Sequence, residues 1–389
     1  MQVSQRIAGL TGGGSDGWHL FIKAREMIAA GQPVLELTIG DHDIRTDAAI
    51  LATMDAAARG GHTGYALVPG ITSLRKTIAA RVQARTRVAT TIDNVLITPG
   101  AQAALFAAHN AACDEGDRAA FCDPYYATYP GTIRGVGAQP VAVQTLPEDD
   151  FQPQPAALNA AAAGAKSLLI NSPNNPTGVI YGHETLQNIA QACQEHDLWL
   201  ISDEVYDTQV WQGEHISPRS LPGMAGRTFV VGSMSKSHAM TGSRCGWVIG
   251  PTPAIAHLIN LATHTTYGVP GFIQDAAEFA LNAGAAFEQK IAAPFRRRRD
   301  IASRIISTQN VVRLVPASGG MYVMLDIRAT GLSGDEFGVR LLERELIAVM
   351  PGESFGRAAA GHIRVAMTLP DQDFEAAFQR LVDFARELS

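Results

Sequence analysis

The sequence is short of charge for its length. Only 17% of its 389 residues are charged, against roughly 25% in an average globular chain, and the net charge is −6. This balance excludes a coiled coil, a disordered chain and a nucleic-acid binder held by bulk positive charge. Because so little charge is available to cover the surface, we expect a large core or a subunit interface.

Cysteines and long apolar runs are also scarce. The four cysteines form no CxxC pair, so we predict buried free thiols rather than a disulfide framework, and no metal site. No stretch approaches the roughly 18 consecutive apolar residues of a membrane span. The N-terminal segment MQVSQRIAGLTGGGSDGWHL lacks the pattern of a signal peptide. These features predict a cytoplasmic protein without a membrane partner.

Short β-branched runs alternate with Ala-rich helical stretches over most of the chain. The runs are DNVLIT (93–98), DRAAFC (117–122), KSLLINSP (166–173), LWLISDE (198–204), RTFVVGSMS (227–235) and RCGWVIG (244–250). Apolar runs bounded by turn residues are typical of buried parallel strands, and the alternation predicts an α/β fold with a mostly parallel sheet between helices. Ligands bind beyond the carboxyl ends of such strands.

The C-terminal part has a different pattern of predicted elements: longer helical segments lie between the strand-like segments VRLVP, GGMYVMLDI and HIRVAMT. We therefore predict a large ligand-binding domain at 41–285 and a smaller α+β domain at 286–389. Residues 1–40 contain an amphipathic helix, FIKAREMIAAG, and are predicted to be an arm that joins the small domain. The run RRRR at 296–299 is interpreted as a solvated or salt-bridged helix face.

The segment SMSKSHAMTGSRCGW (233–247) carries the strongest chemical signal. Lys236 lies between two serines directly after a buried strand, where an ammonium is costly unless it is paired or used chemically. A desolvated lysine is a good imine-forming nucleophile. Arg244 and the Ser233 hydroxyl suit a phosphate monoester. The alternative is an ordinary surface loop.

Three further segments follow or flank predicted strands. The segment NSPNNPTG (171–178) presents Asn174 and Asn175 from a constrained loop. The segment SDEVY (202–206) places two carboxylates at the end of a buried strand. In TPGAQAAL (98–105) a strand is followed directly by a helix. Free N–H groups at such a helix start bind anions. A turn, a helix cap and an ordinary helix start are the respective alternatives. Together the four segments fit a cofactor with a phosphate, a protonated ring nitrogen and a carbonyl.

In order and spacing, these motifs resemble the fold-type I pyridoxal-phosphate-dependent aminotransferases of classes I and II over nearly the whole chain. The matching segments are Tyr65 to Gly70, GAQ, DPYY, SPNNPTG, DEVY, SKSHAMTGSRCGW and HIRVAMT. The resemblance implies pyridoxal 5′-phosphate as cofactor and a ping-pong transfer of an amino group from an amino acid to a 2-oxo acid. It also implies a homodimer.

The resemblance assigns roles around the cofactor ring. Lys236 is expected to form the imine and then to move the proton at the reacting carbon. Asp203 is expected to pair with the ring nitrogen, and Tyr206 and Asn175 to hydrogen-bond the phenolic oxygen. Tyr126 is expected to stack on the ring.

The remaining roles concern the phosphate and the substrate. The resemblance implies that Ser233, Arg244 and the backbone of Gly100, Ala101 and Gln102 hold the phosphate, and that Tyr65 reaches the phosphate of the neighbouring subunit. Arg364 is expected to bind the substrate α-carboxylate. Gly40 is expected beside that carboxylate, and Asn175 is expected to contribute to the substrate site as well.

Two positions depart from the family pattern. His42 stands where the family usually has Pro, and Ala101 replaces a residue that is often Ser. Within the family, LWLISDEVY, GEHISPRSLPGM, SKSHAMTG, FRRRRD and DIRATGLS are similar to arginine–pyruvate transaminases. If a basic side chain is bound, Asp16 and Asp41 are the candidates to face it. The segment HTTYGVPGF (264–272) contains no Arg for a side-chain carboxylate.

Two other functions remain open at this stage. A C–S β-lyase would use the same residues around the cofactor. A non-enzymatic, cofactor-binding regulatory domain would require an N-terminal helix-turn-helix segment, which we do not find.

Overall fold

The computed structural model describes residues 1–12 and 18–389. Helices and strands alternate over most of the chain. The helices are α1 (Gln5–Ala8), α2 (Trp18–Ala29), α3 (Ala48–Arg59), α4 (Thr72–Thr86), α5 (Gly100–Ala112), α6 (Tyr129–Gly135), α7 (Pro155–Ala162), α8 (His183–Glu195), α9 (Met234–Ser237), α10 (Thr252–Thr263), α11 (Gly271–Asn282), α12 (Gly284–Ile306), α13 (Gly334–Glu345) and α14 (Asp371–Glu387). None of them combines, within the described residues, the length and the apolar character needed to cross a bilayer.

The strands form sheets of two, four and seven strands. They are β1 (Leu35–Glu36), β2 (Val95–Thr98), β3 (Arg118–Asp123), β4 (Gln139–Gln144), β5 (Ala165–Asn171), β6 (Trp199–Asp203), β7 (Thr228–Ser233), β8 (Gly246–Ile249), β9 (Arg313–Leu314), β10 (Tyr322–Asp326), β11 (Ile347–Ala348), β12 (Met350–Pro351) and β13 (His362–Ala366).

The seven-stranded sheet has the order β2-β8-β7-β6-β5-β3-β4. The pairs among β7, β6, β5, β3 and β4 are parallel, which confirms the predicted α/β class. The segment RCGWVIG does not follow the predicted parallel direction, because β8 is antiparallel to both β2 and β7. Its apolar run is equally buried in either direction, so composition alone does not reveal the difference. Strand β4, at the edge, was missed because its residues QPVAVQ are mostly half-exposed.

Helices cover both faces of this sheet. In β5, Leu168 and Ile170 pack in one cluster with residues of α7 and α8, whereas Leu169 packs in another with residues of α5 and α10. Successive side chains of a strand point to opposite faces, so a strand buried on both sides reads as a continuous apolar run. This explains the uninterrupted LLI of β5.

The parallel strands end on polar residues at one edge of the sheet. Asn171 ends β5 and is in register with Asp203, which ends β6, and Ser233 ends β7. Helix α5 begins at Gly100, just after β2. The candidate residues that are far apart in sequence are therefore neighbours at this edge.

The C-terminal region forms an antiparallel sheet of order β12-β13-β10-β9. Residues of this sheet, α12, α13 and α14 share one apolar cluster. Helix α13 begins with a capping box in which Ser333 and Glu336 satisfy each other's backbone N–H. The N-terminal segment meets this region: Leu20 and Ala24 of α2 pack on Leu342, and β1 pairs with β11.

The arginine run in α12 is engaged in ion pairs, as the sequence predicts. Arg297 and Arg298 both pair with Asp371, and Arg298 also forms two bonds to Asp43. These contacts tie α12 to the start of α14 and to the loop after Gly40.

We expect the C-terminal cluster to depend strongly on Leu341, whose side chain is fully buried. Leu341→Ala should lower the free energy of unfolding by about 2–5 kcal/mol, because it removes apolar contacts and leaves a cavity. The control is Leu146→Ala, at a side chain that is 55% exposed. Denaturant unfolding of both variants measures the difference, and equal losses would contradict the prediction.

Candidate active site

A cavity of about 360 Å³ opens where the parallel strands end. Most of the residues selected from the sequence line it, together with apolar side chains from α2 and the C-terminal region. The selected residues in the lining are Gly40, Ala101, Gln102, Tyr126, Asn175, Asp203, Tyr206, Ser233, Lys236, Arg244 and Arg364. Two do not line it: Gly100 lies close against the Arg244 guanidinium, and Tyr65 is 92% exposed and packs on Tyr267.

Lys236 lines this cavity from the helical turn that follows β7. The Ser233 hydroxyl caps α9 by accepting a hydrogen bond from the Ser235 N–H. The Lys236 Nζ donates a hydrogen bond to the carbonyl oxygen of Gly40. No carboxylate pairs with it among the described residues, so its amine is held by a neutral acceptor that a reacting ligand can replace.

An anion-binding cup lies at one end of the cavity. It combines the N-terminus of α5 with the hydroxyls of Ser233 and Ser235 and the guanidinium of Arg244. Its walls approach closely because side chains are missing: a Cβ on Gly100 would lie 2.3 Å from Arg244 Nη2, and one on Gly246 would lie 2.9 Å from the Ala101 nitrogen. This donor set fits the phosphate of pyridoxal phosphate. Ser235 supplies a hydroxyl that the sequence analysis did not include.

Asp203 presents a buried carboxylate that has no cationic partner among the residues described. Its Oδ2 accepts a hydrogen bond from the Tyr129 hydroxyl at 2.8 Å, and its Oδ1 accepts one from the Val205 N–H at 3.3 Å. Burial raises the pKa of the Asp203 carboxyl to about 6, although both bonds favour the charged form. A positively charged ring nitrogen would supply the missing counter-charge, so this residue fits the cofactor as well.

Arg364 is the corresponding buried cation, on β13. Its Nη1 donates to Asn175 Oδ1 at 2.9 Å, and its Nη2 donates to the Thr38 carbonyl oxygen. Its guanidinium carbon also lies 4.2 Å from the centroid of the Tyr322 ring and 4.4 Å from that of Phe355. Burial lowers the pKa of Arg364. Within the described chain no carboxylate pairs with it, so it can take a ligand carboxylate in a planar, bidentate arrangement.

Two tyrosines of the site were missed by the sequence analysis. Tyr129 supports Asp203, and Tyr322 packs on Arg364, with its hydroxyl so close to Gly40 that a Cβ there would lie 1.9 Å from it. Burial would raise the pKa of Tyr322, but the charges of Arg364 and Lys236 outweigh it and the pKa is lowered. No local pattern marks either tyrosine, because each role depends on a residue reached across the fold.

The loop after Gly40 holds His42, one of the two positions that depart from the family pattern, and the donor candidate Asp41. Asp41 lines the cavity and accepts a hydrogen bond from the Thr241 hydroxyl at 2.9 Å. His42 packs edge-on against Phe295, with ring centroids 5.3 Å apart. Burial, and then the Lys236 charge, lower the pKa of His42 to about 4. Asp16, the other candidate for a basic ligand, lies outside the described residues.

We expect the anion-binding cup to require glycine at position 100. Both Gly100 (φ +78°) and the control position Gly116 (φ +87°) have left-handed backbones, but a Cβ at Gly116 would meet nothing within 4 Å. Each substitution by Ala should therefore cost about 1–3 kcal/mol of stability. Only Gly100→Ala should displace Arg244 and weaken pyridoxal phosphate binding, by about tenfold or more. Denaturant unfolding and cofactor titration test this, and equally weakened cofactor binding in both variants would contradict it.

Comparison with known proteins agrees with this geometry. The family described as aminotransferase class I and II matches residues 32–381. The chain is 40% identical to the arginine–pyruvate transaminase AruH of Pseudomonas aeruginosa, over 99% of this chain and 98% of that protein. It is 34% identical to the aspartate/prephenate aminotransferase of Thermus thermophilus, over 94% of both chains.

Solved structures lead to the same family. The aspartate aminotransferase of Thermus thermophilus with maleate superposes with a TM-score of 0.91, at 32% identity, over 99% of each chain. The aspartate aminotransferase of Thermotoga maritima superposes with a TM-score of 0.92, at 30% identity, over 99% of this chain and 100% of that chain. The chain belongs to the aminotransferase class I and II family and is a pyridoxal-phosphate-dependent transaminase of fold type I.

Proposed function

We propose that this transaminase takes its amino group from a donor with a basic side chain, arginine being the first candidate, and passes it to a 2-oxo acid. The observation that carries the proposal is the charge of the cavity lining. Its cationic side chains are Lys236, Arg244 and Arg364, and each of them has a role toward the cofactor or the α-carboxylate. No cation of the described lining is left for a second carboxylate, which disfavours aspartate and glutamate as donors.

The similarity to a protein named arginine–pyruvate transaminase supports the same donor. The relatives described above are all named transaminases or aminotransferases, and they lend no support to the C–S β-lyase alternative.

The residues proposed to hold the cofactor form two groups. Ser233, Arg244 and the backbone of Gly100, Ala101 and Gln102 bind the phosphate. Asp203, oriented by Tyr129, binds the ring nitrogen, while Tyr206 and Asn175 bind the phenolic oxygen and Tyr126 stacks on the ring. Pyridoxal phosphate, when bound, supplies a protonated ring that withdraws electrons from the reacting carbon of the substrate.

The substrate is proposed to lie between the cofactor and the C-terminal sheet. Arg364 binds the α-carboxylate bidentately, and Asn175, whose Oδ1 already accepts from Arg364, keeps that guanidinium in plane. Gly40 leaves room beside the carboxylate. Lys236 would hold the cofactor through its amine and would move the proton at the reacting carbon of the substrate. Within the described chain the Nζ donates to the Gly40 carbonyl oxygen, a neutral acceptor that leaves the amine available for these roles.

We also propose a division into an arm at 1–40, a large domain at 41–285 and a small domain at 286–389, and a homodimer. The exposure of Tyr65 supports the dimer, since the side chain is 92% exposed, does not line its own cavity and lies among other exposed apolar residues such as Leu67 and Tyr267. A cytoplasmic location is supported by the cysteines, which are all buried and free.

A lysine substitution tests the central role. Lys236→Ala should abolish transamination and covalent retention of the cofactor, because no other amine lines the cavity within the described chain. The control is Lys290→Ala, at a 72% exposed side chain that pairs with Asp47 away from the cavity lining. Turnover and mass spectrometry after borohydride reduction are the measurements. Wild-type turnover by Lys236→Ala would refute the assignment.

A donor panel tests the proposed specificity. In single-turnover reactions of the pyridoxal form with the twenty amino acids, we expect arginine to react faster than alanine, and aspartate to react slowly. The loss of cofactor absorbance in each mixture gives the rate. An arginine reaction no faster than that of alanine would overturn the proposed donor while leaving the transaminase family intact.

The proposed dimer makes a further prediction about Tyr65. Sedimentation should give a dimer, and Tyr65→Phe should weaken pyridoxal phosphate binding without changing the fold, because one hydrogen bond to the phosphate of the neighbouring subunit is lost. Sedimentation velocity and cofactor titration measure this. A fully active monomer would contradict it.

A further inference from the structure

One carboxylate at the cavity is not used by the proposed chemistry. Asp41 lines the cavity directly after Gly40, whose carbonyl holds Lys236. The Thr241 hydroxyl donates to its Oδ1 at 2.9 Å and the His42 N–H donates to the same oxygen at 3.0 Å. Among residues 1–12 and 18–389 no hydrogen bond or ion pair engages its Oδ2. The side chain is thus fixed in place while one carboxylate oxygen remains available to a ligand.

The other acidic groups nearby are already committed. Asp203 also lines the cavity, but it is 4% exposed and bound by Tyr129. Asp43, two residues after Asp41, is paired with Arg298 through both of its oxygens. Asp41 is therefore the accessible negative charge of the described lining, at a cavity whose cations all have other roles.

The wall of the cavity also suits a donor with a long aliphatic side chain. Trp18 and Phe21 of α2 line it, with ring centroids 5.4 Å apart, and Met350 and Phe355 line it as well. Contact with such surfaces removes methylene groups from water, which makes binding more favourable. Asp41 itself is exposed, so a cation bound there keeps part of its hydration and incurs little desolvation cost.

We propose that Asp41 determines specificity by binding the cationic end of the donor side chain through its Oδ2. A guanidinium is the best match, since it is planar, weakly hydrated and able to donate to a carboxylate through more than one N–H. This inference rests on the proposed function, because it concerns the side chain of a basic donor.

The competing explanation is that Asp41 only fixes the loop at Thr241. The two roles differ in what they do to different donors. A residue that only fixes the loop affects every donor alike, whereas a residue that binds a cation affects charged donors and spares neutral ones of the same shape.

Arginine and citrulline form the matched pair of donors, because citrulline has the same chain length with a neutral urea in place of the guanidinium. The measurement is the ratio of their apparent second-order rate constants in single-turnover reactions of the cofactor-loaded enzyme. We expect wild type to prefer arginine, and Asp41→Asn to lower that ratio about tenfold, which corresponds to about 1.4 kcal/mol. Asp41→Glu, which keeps the charge, should give a ratio above that of Asp41→Asn.

The control is Asp55→Asn. Asp55 is exposed on α3 and pairs with Arg59, so this variant removes the same charge away from the cavity and should keep the wild-type ratio. Circular dichroism and cofactor titration establish that all variants fold and bind pyridoxal phosphate.

The outcomes separate the inference from the function on which it rests. A wild-type enzyme that does not prefer arginine to citrulline overturns the proposed basic donor. A wild-type preference that Asp41→Asn retains overturns the role of Asp41 and leaves the donor intact. Equal losses with both donors, or a ratio in Asp41→Glu as low as that in Asp41→Asn, also overturn it and favour the purely structural role.

Discussion

The site depends on two buried charges that have no counter-charge among the described residues: the guanidinium of Arg364 and the carboxylate of Asp203. Burying a charge unpaired is costly, so each is stabilised by neutral partners: Asn175 and Thr38 for the cation, Tyr129 for the anion. In the proposed function, the cofactor and the substrate supply the two missing counter-charges. Bound ligands should therefore also stabilise the folded chain.

The fold brings these charges together from distant parts of the sequence. Asp203 ends a parallel strand of the large sheet, whereas Arg364 lies on the antiparallel C-terminal sheet. The segment around Gly40 contacts both Arg364 and Lys236, because the Thr38 carbonyl accepts from Arg364 and the Gly40 carbonyl accepts from Lys236. A short irregular segment thus connects the group proposed to bind substrate with the group proposed to react.

Several residues of the site could be predicted from the sequence because of the residues that precede them. Lys236, Asp203 and Asn175 each follow a buried apolar run, and polar residues at strand ends predict a site in an α/β sheet. Strand direction was not readable for β8, because burial on both faces gives the same composition either way. Tyr129 and Tyr322 were missed because their roles depend on which residue they reach across the fold, Asp203 in one case and Arg364 in the other.

The glycines of the anion-binding cup have a consequence for how such a site diversifies. A side chain at position 100 would collide with the Arg244 guanidinium, and one at position 246 would collide with the backbone at Ala101. Single substitutions at either glycine therefore disturb the cup. Asp41 is exposed at the cavity, where a new side chain meets solvent. The residues proposed to bind the cofactor and the residue proposed to choose the donor are therefore different side chains with different tolerance for substitution, so the donor can change while the residues of the cup stay the same.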